Sequence, residues 1–280
     1  MAADTDWHLT RTFTSTSGDV RWDRLGPPGR PPVVLLHGTP FSSYVWRAVA
    51  RSLAREYDVH VWDMPGYGSS EKREGQDVSL AAQGSVLGEL LAHWELPEPL
   101  VVAHDFGGAV ALRAYLLHGA RYRALALVDP VALAPWGSPF FRLVGDHADV
   151  FERLPPALHG ALVREYVASA SSPGLRPDVL DRLVEPWLDD TGQAAFYRQI
   201  AQADQRFTDE IQGRYGGIGI PTLVCWGEDD TWIPVAKGHE LAALVPGARF
   251  EPIAGAGHLV QEDAPAQLTA ALLAFLQRHR

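Results

Sequence analysis

The chain has 280 residues, of which 46% are hydrophobic and 21% charged, and a formal net charge of −10. That length suits one large domain or a domain with an insertion, and the composition speaks against disorder and coiled coil. With acidic residues in excess and no segment rich in Lys and Arg, nucleic acid and anionic membrane are not expected as partners. Residues 1–10 carry Asp4, Asp6 and Trp7 without a basic flank or an apolar stretch, unlike a secretory leader. No run approaches ~18 apolar residues, so a cytoplasmic protein is expected. Residues 10–14 and 20–24 alternate about Ser17-Gly18-Asp19, which predicts an antiparallel hairpin at a sheet edge. Buried strands are then predicted at Pro32-Val33-Val34-Leu35-Leu36, at Tyr57-Asp58-Val59-His60-Val61-Trp62 and from Leu100 to Ala103, each followed by a helical pattern. Further strands are predicted at residues 124–128, 223–226 and 249–253. The class is therefore α/β, with a mostly parallel sheet of eight strands.

After residue 134 the alternation of strand and helix breaks down. Pro135, Pro139, Pro155-Pro156, Pro173, Pro177 and Pro186 divide short helical patterns with no convincing strand among them. A core over residues 1–134 and 213–280, with a helical cap over 135–212, accounts for this pattern. A cap above the carboxyl edge of the sheet excludes water from chemistry beneath it. The single cysteine, Cys225, lies in a predicted strand and excludes an internal disulfide framework. It is expected to be a small core residue.

The chemistry centres on Val101-Val102-Ala103-His104-Asp105-Phe106-Gly107-Gly108. A strand running directly into a helix, with small residues two before and two and three after the central position, has the pattern of a nucleophile elbow. The central residue is Asp105. A carboxylate with an ordinary pKa of about 3.9 is already anionic at neutral pH and can attack without a base. Ligands of open α/β sheets bind at the carboxyl ends of the strands. Asp105, Asp129, Glu228-Asp229-Asp230 and His258 all fall there, in the order nucleophile, acid, histidine.

The chain resembles the α/β-hydrolase fold over nearly its whole length, and within it the aspartate-nucleophile branch of epoxide hydrolases and haloalkane dehalogenases. The resemblance rests on His37-Gly38-Thr39-Pro40, Pro65-Gly66-Tyr67-Gly68-Ser69-Ser70, His104-Asp105-Phe106-Gly107-Gly108 and Gly257-His258-Leu259-Val260-Gln261-Glu262-Asp263. It implies Asp105 as nucleophile, His258 as base and Asp230 as its acid, with Asp129 as the alternative acid. It also implies an oxyanion hole from the backbone N–H groups of Thr39 and Phe106. The implied reaction passes through a covalent alkyl ester on Asp105, which water activated by His258 then hydrolyses.

Substrate class turns on the electrophilic assistance that the cap provides. Dehalogenases of this branch usually hold the halide with a tryptophan after the nucleophile and often an asparagine in the first turn. Here those places are Phe106 and Thr39, and a phenyl ring donates no hydrogen bond. Trp136 or Trp187 would have to serve instead. Epoxide hydrolases protonate the opening oxide with cap tyrosines, and Phe196-Tyr197-Arg198 resembles a segment carrying one, which makes Tyr197 the candidate acid. Tyr166 and Tyr215 are possible second donors that match no family position. An epoxide hydrolase-like enzyme acting on a small apolar substrate is expected. A dehalogenase-like hydrolase, a cofactor-independent enzyme that is not a hydrolase and a small-molecule-binding protein on the same fold stand as alternatives. No cofactor and no metal are expected, because His-Glu-x-x-His and paired cysteines do not occur. His37 and His104 are expected to hold loop backbone. Oligomeric state is open.

Overall fold

The computed structural model describes residues 7–280. Residues 1–6, most of the stretch read above for a leader, lie outside them. Eight strands form one sheet: β1 (Arg11–Ser15), β2 (Gly18–Leu25), β3 (Pro32–Leu36), β4 (Asp58–Trp62), β5 (Leu100–His104), β6 (Ala124–Val128), β7 (Thr222–Gly227) and β8 (Arg249–Ile253). Their order across the sheet is β1-β2-β4-β3-β5-β6-β7-β8, antiparallel from β1 through β4 and parallel from there to β8. The helices are α1 (Arg47–Leu53), α2 (Leu80–His93), α3 (Phe106–Leu117), α4 (Pro139–Asp146), α5 (Ala148–Phe151), α6 (Pro156–Ala168), α7 (Pro177–Val184), α8 (Asp190–Ala201), α9 (Arg206–Gln212), α10 (Val235–Leu244), α11 (Val260–Asp263) and α12 (Pro265–Leu276).

The apolar runs become strands because parallel strands covered on both faces need an apolar side chain at every position. β4, β5, β6 and β7 are buried throughout. The chain enters the sheet centre at β3, steps outward to β4 and returns to the other side of β3 as β5. Right-handed crossovers in opposite directions place their helices on opposite faces and open a crevice between β3 and β5. α1 packs with α12 and α2 with α3. Between β6 and β7 every element is helical, from α4 to α9.

The edge hairpin forms with a tighter turn than its sequence predicts. Ser15 pairs with Gly18, leaving Thr16 and Ser17 as the loop, so the turn precedes the predicted Ser17-Gly18-Asp19. Gly18 has φ +114°, a region glycine enters without strain, and Ser15 Oγ both donates to the Gly18 carbonyl and accepts from Ser17 N–H. Cys225 is buried in β7, and burial pushes its thiol up. Among the described residues, no helix is long and apolar enough to cross a membrane.

Candidate active site

β5 ends at His104 and α3 begins at Phe106, so Asp105 alone makes the turn. It adopts φ +50° and ψ −120°, which a non-glycine residue keeps only where its surroundings over-determine it. They do so here. Asp105 N–H donates to the Val128 carbonyl at 3.2 Å, and its own carbonyl accepts from Gly108 N–H at 2.9 Å and Val131 N–H at 3.1 Å. The small neighbours are needed for space: a Cβ on Gly38 would overlap the Asp105 side chain, and one on Gly107 would overlap the His37 carbonyl.

The Asp105 carboxylate is 3% exposed and held at both oxygens. Thr39 N–H donates to Oδ1 at 2.7 Å, and Oδ2 lies 3.3 Å from His258 Nε2, a close charge contact that is not an aligned hydrogen bond. Burial alone would raise the Asp105 pKa. The neighbouring His258, then His104 and the Phe106 N–H, outweigh it and hold the carboxyl below its ordinary value. His258 Nδ1 donates to Asp230 Oδ2 at 2.8 Å, while Asp230 Oδ1 accepts from Trp232 N–H at 2.7 Å and Ile233 N–H at 2.9 Å. For His258 too, burial works against charge, but Asp230 and Asp105 together lift its pKa well above the ordinary value.

Asp129 stands beside this pair without reaching the imidazole. Its Oδ1 accepts from Gly227 N–H at 2.9 Å, and its carboxyl stands against that of Asp230. Burial, followed by the charge of Asp230, pushes Asp129 well above the usual carboxylate range and favours its neutral form. The two motif histidines are neutral props. His37 Nδ1 donates to the Gly38 carbonyl and Nε2 accepts from Met64 N–H, both at 2.9 Å. His104 Nε2 donates to the His258 carbonyl at 3.0 Å, and burial, aided by His258, pulls it down to about 3.

The cap donors are arranged differently from the sequence-based expectation. Asp105, Thr39 and Phe106 share a pocket with Trp136, Tyr166 and Trp232. Tyr197 does not line it. Its hydroxyl donates to His159 Nδ1 at 2.8 Å, a direction fixed because His159 Nε2 donates to the Trp187 carbonyl at 2.8 Å. Trp136 lines the pocket with its ring, but its N–H goes to Thr208 Oγ1 at 2.8 Å. The Trp187 indole donates to the Pro40 carbonyl at 2.8 Å, and the Tyr215 hydroxyl to the Ala132 carbonyl at 2.6 Å. Tyr166 is the exception: its hydroxyl makes no hydrogen bond among the described residues. Burial, followed by the charge of Asp105, pushes its phenol up.

Sequence reasoning gave Trp232 and Gln199 no part in the site. The Trp232 ring stacks on His258 at 5.0 Å and on Tyr166 at 4.5 Å, and its N–H reaches Ser169 Oγ at 3.1 Å. Its position two residues after Asp230 was the available signal. Gln199 accepts from Thr39 Oγ1 at 2.6 Å and from the Tyr67 hydroxyl at 3.0 Å. It lies on α8 two residues beyond Tyr197, about 200° around the helix, so these two side chains face opposite ways. The segment after α6 is also tied to the histidine loop. Asp263 accepts from Gly257 N–H at 2.8 Å, Ser171 Oγ at 2.5 Å and Ser172 N–H at 3.0 Å, and Leu259 N–H donates to the Ala170 carbonyl at 3.0 Å. Among the described residues, no group of three His, Cys, Asp or Glu side chains is placed to hold a metal ion.

Residues 31–265 match the family model described as the alpha/beta hydrolase fold. An alpha/beta hydrolase fold protein from Burkholderia ambifaria, known as a crystal structure, is 46% identical, with a TM-score of 0.92 over 96% of this chain and 98% of that one. An uncharacterized protein from Mycobacterium tuberculosis is 30% identical, covering 92% of this chain and 78% of its own length. Epoxide hydrolase A from Mycobacterium tuberculosis is 29% identical, covering 95% of this chain and 97% of its own length.

Proposed function

The chain belongs to the α/β-hydrolase fold family and is a hydrolase, and within that family we propose that it opens epoxides through a covalent ester on Asp105. One observation carries the choice of substrate: Tyr166 lines the same pocket as Asp105 and its hydroxyl has no hydrogen-bond partner among the described residues, while the indole N–H groups of Trp136, Trp187 and Trp232 are all donated to protein oxygens. An opening oxide needs one proton, and a phenol supplies it. A departing halide needs fixed N–H donors, and Phe106 brings none from its side chain. Phe106, Val131, Trp136, Phe141 and Ile233 make much of the remaining wall apolar, which suits a small hydrocarbon-like substrate.

In the first step Asp105 Oδ2 attacks an oxirane carbon, the C–O bond breaks, and the Tyr166 proton passes to the oxide oxygen. The charge on Asp105 is one reason the Tyr166 proton is held tightly. Ester formation removes that charge, so the phenol yields its proton more readily as the oxide requires it. In the second step His258 Nε2 takes a proton from water, whose oxygen adds to Asp105 Cγ. Negative charge then gathers on Oδ1, the oxygen already held by Thr39 N–H at 2.7 Å. Collapse breaks the Cγ–Oδ2 bond, the departing alkoxide takes the proton of the hydroxyl newly added to Cγ and leaves as a 1,2-diol, the Asp105 carboxylate is restored, and the proton on His258 returns to the Tyr166 phenolate through solvent.

The experiment is His258→Gln incubated with an aryl epoxide such as styrene oxide. Peptide mass spectrometry is expected to find the intact substrate mass added to Asp105, since attack survives and hydrolysis does not. An unmodified Asp105 peptide overturns the ester route. Bromide or chloride released from a haloalkane panel by the native chain, without diol from epoxides, overturns the substrate class.

A further inference from the structure

We infer that Gln199, carried on the cap helix α8, is a positioning residue for the hydrolytic half of the reaction, because it fixes the Thr39 turn whose backbone N–H holds Asp105. The inference rests on the ester mechanism proposed above. Gln199 is 1% exposed, and its Oε1 accepts two hydroxyl hydrogen bonds from the core, at 2.6 Å from Thr39 and 3.0 Å from Tyr67. Thr39 is therefore held at both ends: its hydroxyl is fixed by the cap, and its N–H is fixed on the nucleophile.

The other half of the amide sharpens the case. Gln199 Nε2 is buried with no partner among the described residues, a condition that native structures rarely tolerate without a compensating use. Methionine would fill similar space without an orphaned N–H, so packing alone does not account for an amide at this position. The oxygen, as a double acceptor between two hydroxyl donors, does. The two chemical steps make different demands on this arrangement. During attack, negative charge leaves the carboxylate and Thr39 N–H gains nothing. During ester hydrolysis, charge develops on Oδ1, and the exact placement of that N–H governs the rate.

Gln199→Met and Gln199→Glu, made in the full chain, test this with styrene oxide in rapid-quench single turnovers. Gln199→Met is expected to leave ester formation nearly unchanged and to slow ester hydrolysis on the order of ten- to a hundredfold, so that ester accumulates on Asp105 during turnover. Gln199→Glu keeps an acceptor for both hydroxyls and is expected to recover most of the hydrolytic rate. The Thr39 amide proton, followed by NMR without substrate, is expected downfield in the native chain and in Gln199→Glu and shifted upfield in Gln199→Met. Equal slowing of both steps, slowing of neither, or an unmoved Thr39 amide overturns the inference. If the native chain forms no ester with epoxide, the proposed function falls, and the amide shift still decides whether Gln199 places Thr39.

Discussion

The core and the cap both face Asp105, but they place their side chains by different means. On the core side, strand ends and tight turns fix the position: Asp105 sits in a strained turn whose backbone groups are all committed, and two backbone N–H groups hold Asp230 after β7. On the cap side, helix rotation fixes the position, and a shift of two residues along α8 exchanges the face that carries Tyr197 for the one that carries Gln199. A turn dictates its residue types and therefore leaves a mark in the sequence. A helix face does not name the neighbour it will meet.

The strongest strain on this contrast comes from the acids at the ends of β6 and β7. Asp230→Asn is expected to lower kcat on the order of 10³-fold or more, because the imidazole loses both its orienting acceptor and the charge that stabilises it when protonated. Asp129→Asn is expected to leave kcat nearly unchanged, since Asp129 favours its neutral form and does not contact the ring. The pH dependence follows in sign. His258 must be neutral to accept a proton from water, and Asp230 raises its pKa, so native activity falls as pH drops through that raised value. In Asp230→Asn the residual activity has its acid limb at lower pH, which a kcat-pH profile measures. Comparable losses in both variants would mean that the acid role is shared between the two strand ends.

A smaller effect probes the cap. Tyr166→Phe is expected to slow ester formation from epoxides about 10²-fold, the ordinary worth of a positioned general acid, with ester hydrolysis unaffected. If Tyr166→Phe forms ester at the native rate, the proton comes from elsewhere and the Tyr166 role fails. The smallest effect belongs to Tyr197→Phe. It removes the hydroxyl that donates to His159 and is expected to cost about 1 kcal/mol of stability in a denaturant titration while leaving kcat intact. A large loss of kcat with little loss of stability would restore Tyr197 to the chemistry.

These differences explain what the sequence disclosed. The sheet was legible because buried parallel strands write themselves as short apolar runs, and because Gly38 and Gly107 occupy places where a Cβ does not fit. That Asp105, His258, Asp230 and Thr39 come together was legible because each sits at a strand end in a turn of restricted composition. Trp136 was found as a pocket wall but not as a donor, since the sequence does not reveal that Thr208 takes its N–H. Gln199 was hidden for a related reason, and Tyr166 was legible only as a second donor without a matching position. Each joins the site through partners far away in the chain: Trp232 stacked on Tyr166, and Thr39 and Tyr67 bonded to Gln199.

The stack of Tyr166, Trp232 and His258 has a mechanical consequence. Its middle ring belongs to a residue whose backbone N–H holds the acid and whose indole N–H holds the end of α6. On the proposed reaction, a substrate that pushed α6 sideways would act on the plane of the imidazole through this stack. Substrates that differ in bulk far from the oxirane should then differ in the rate at which their esters hydrolyse, even when the esters form equally fast.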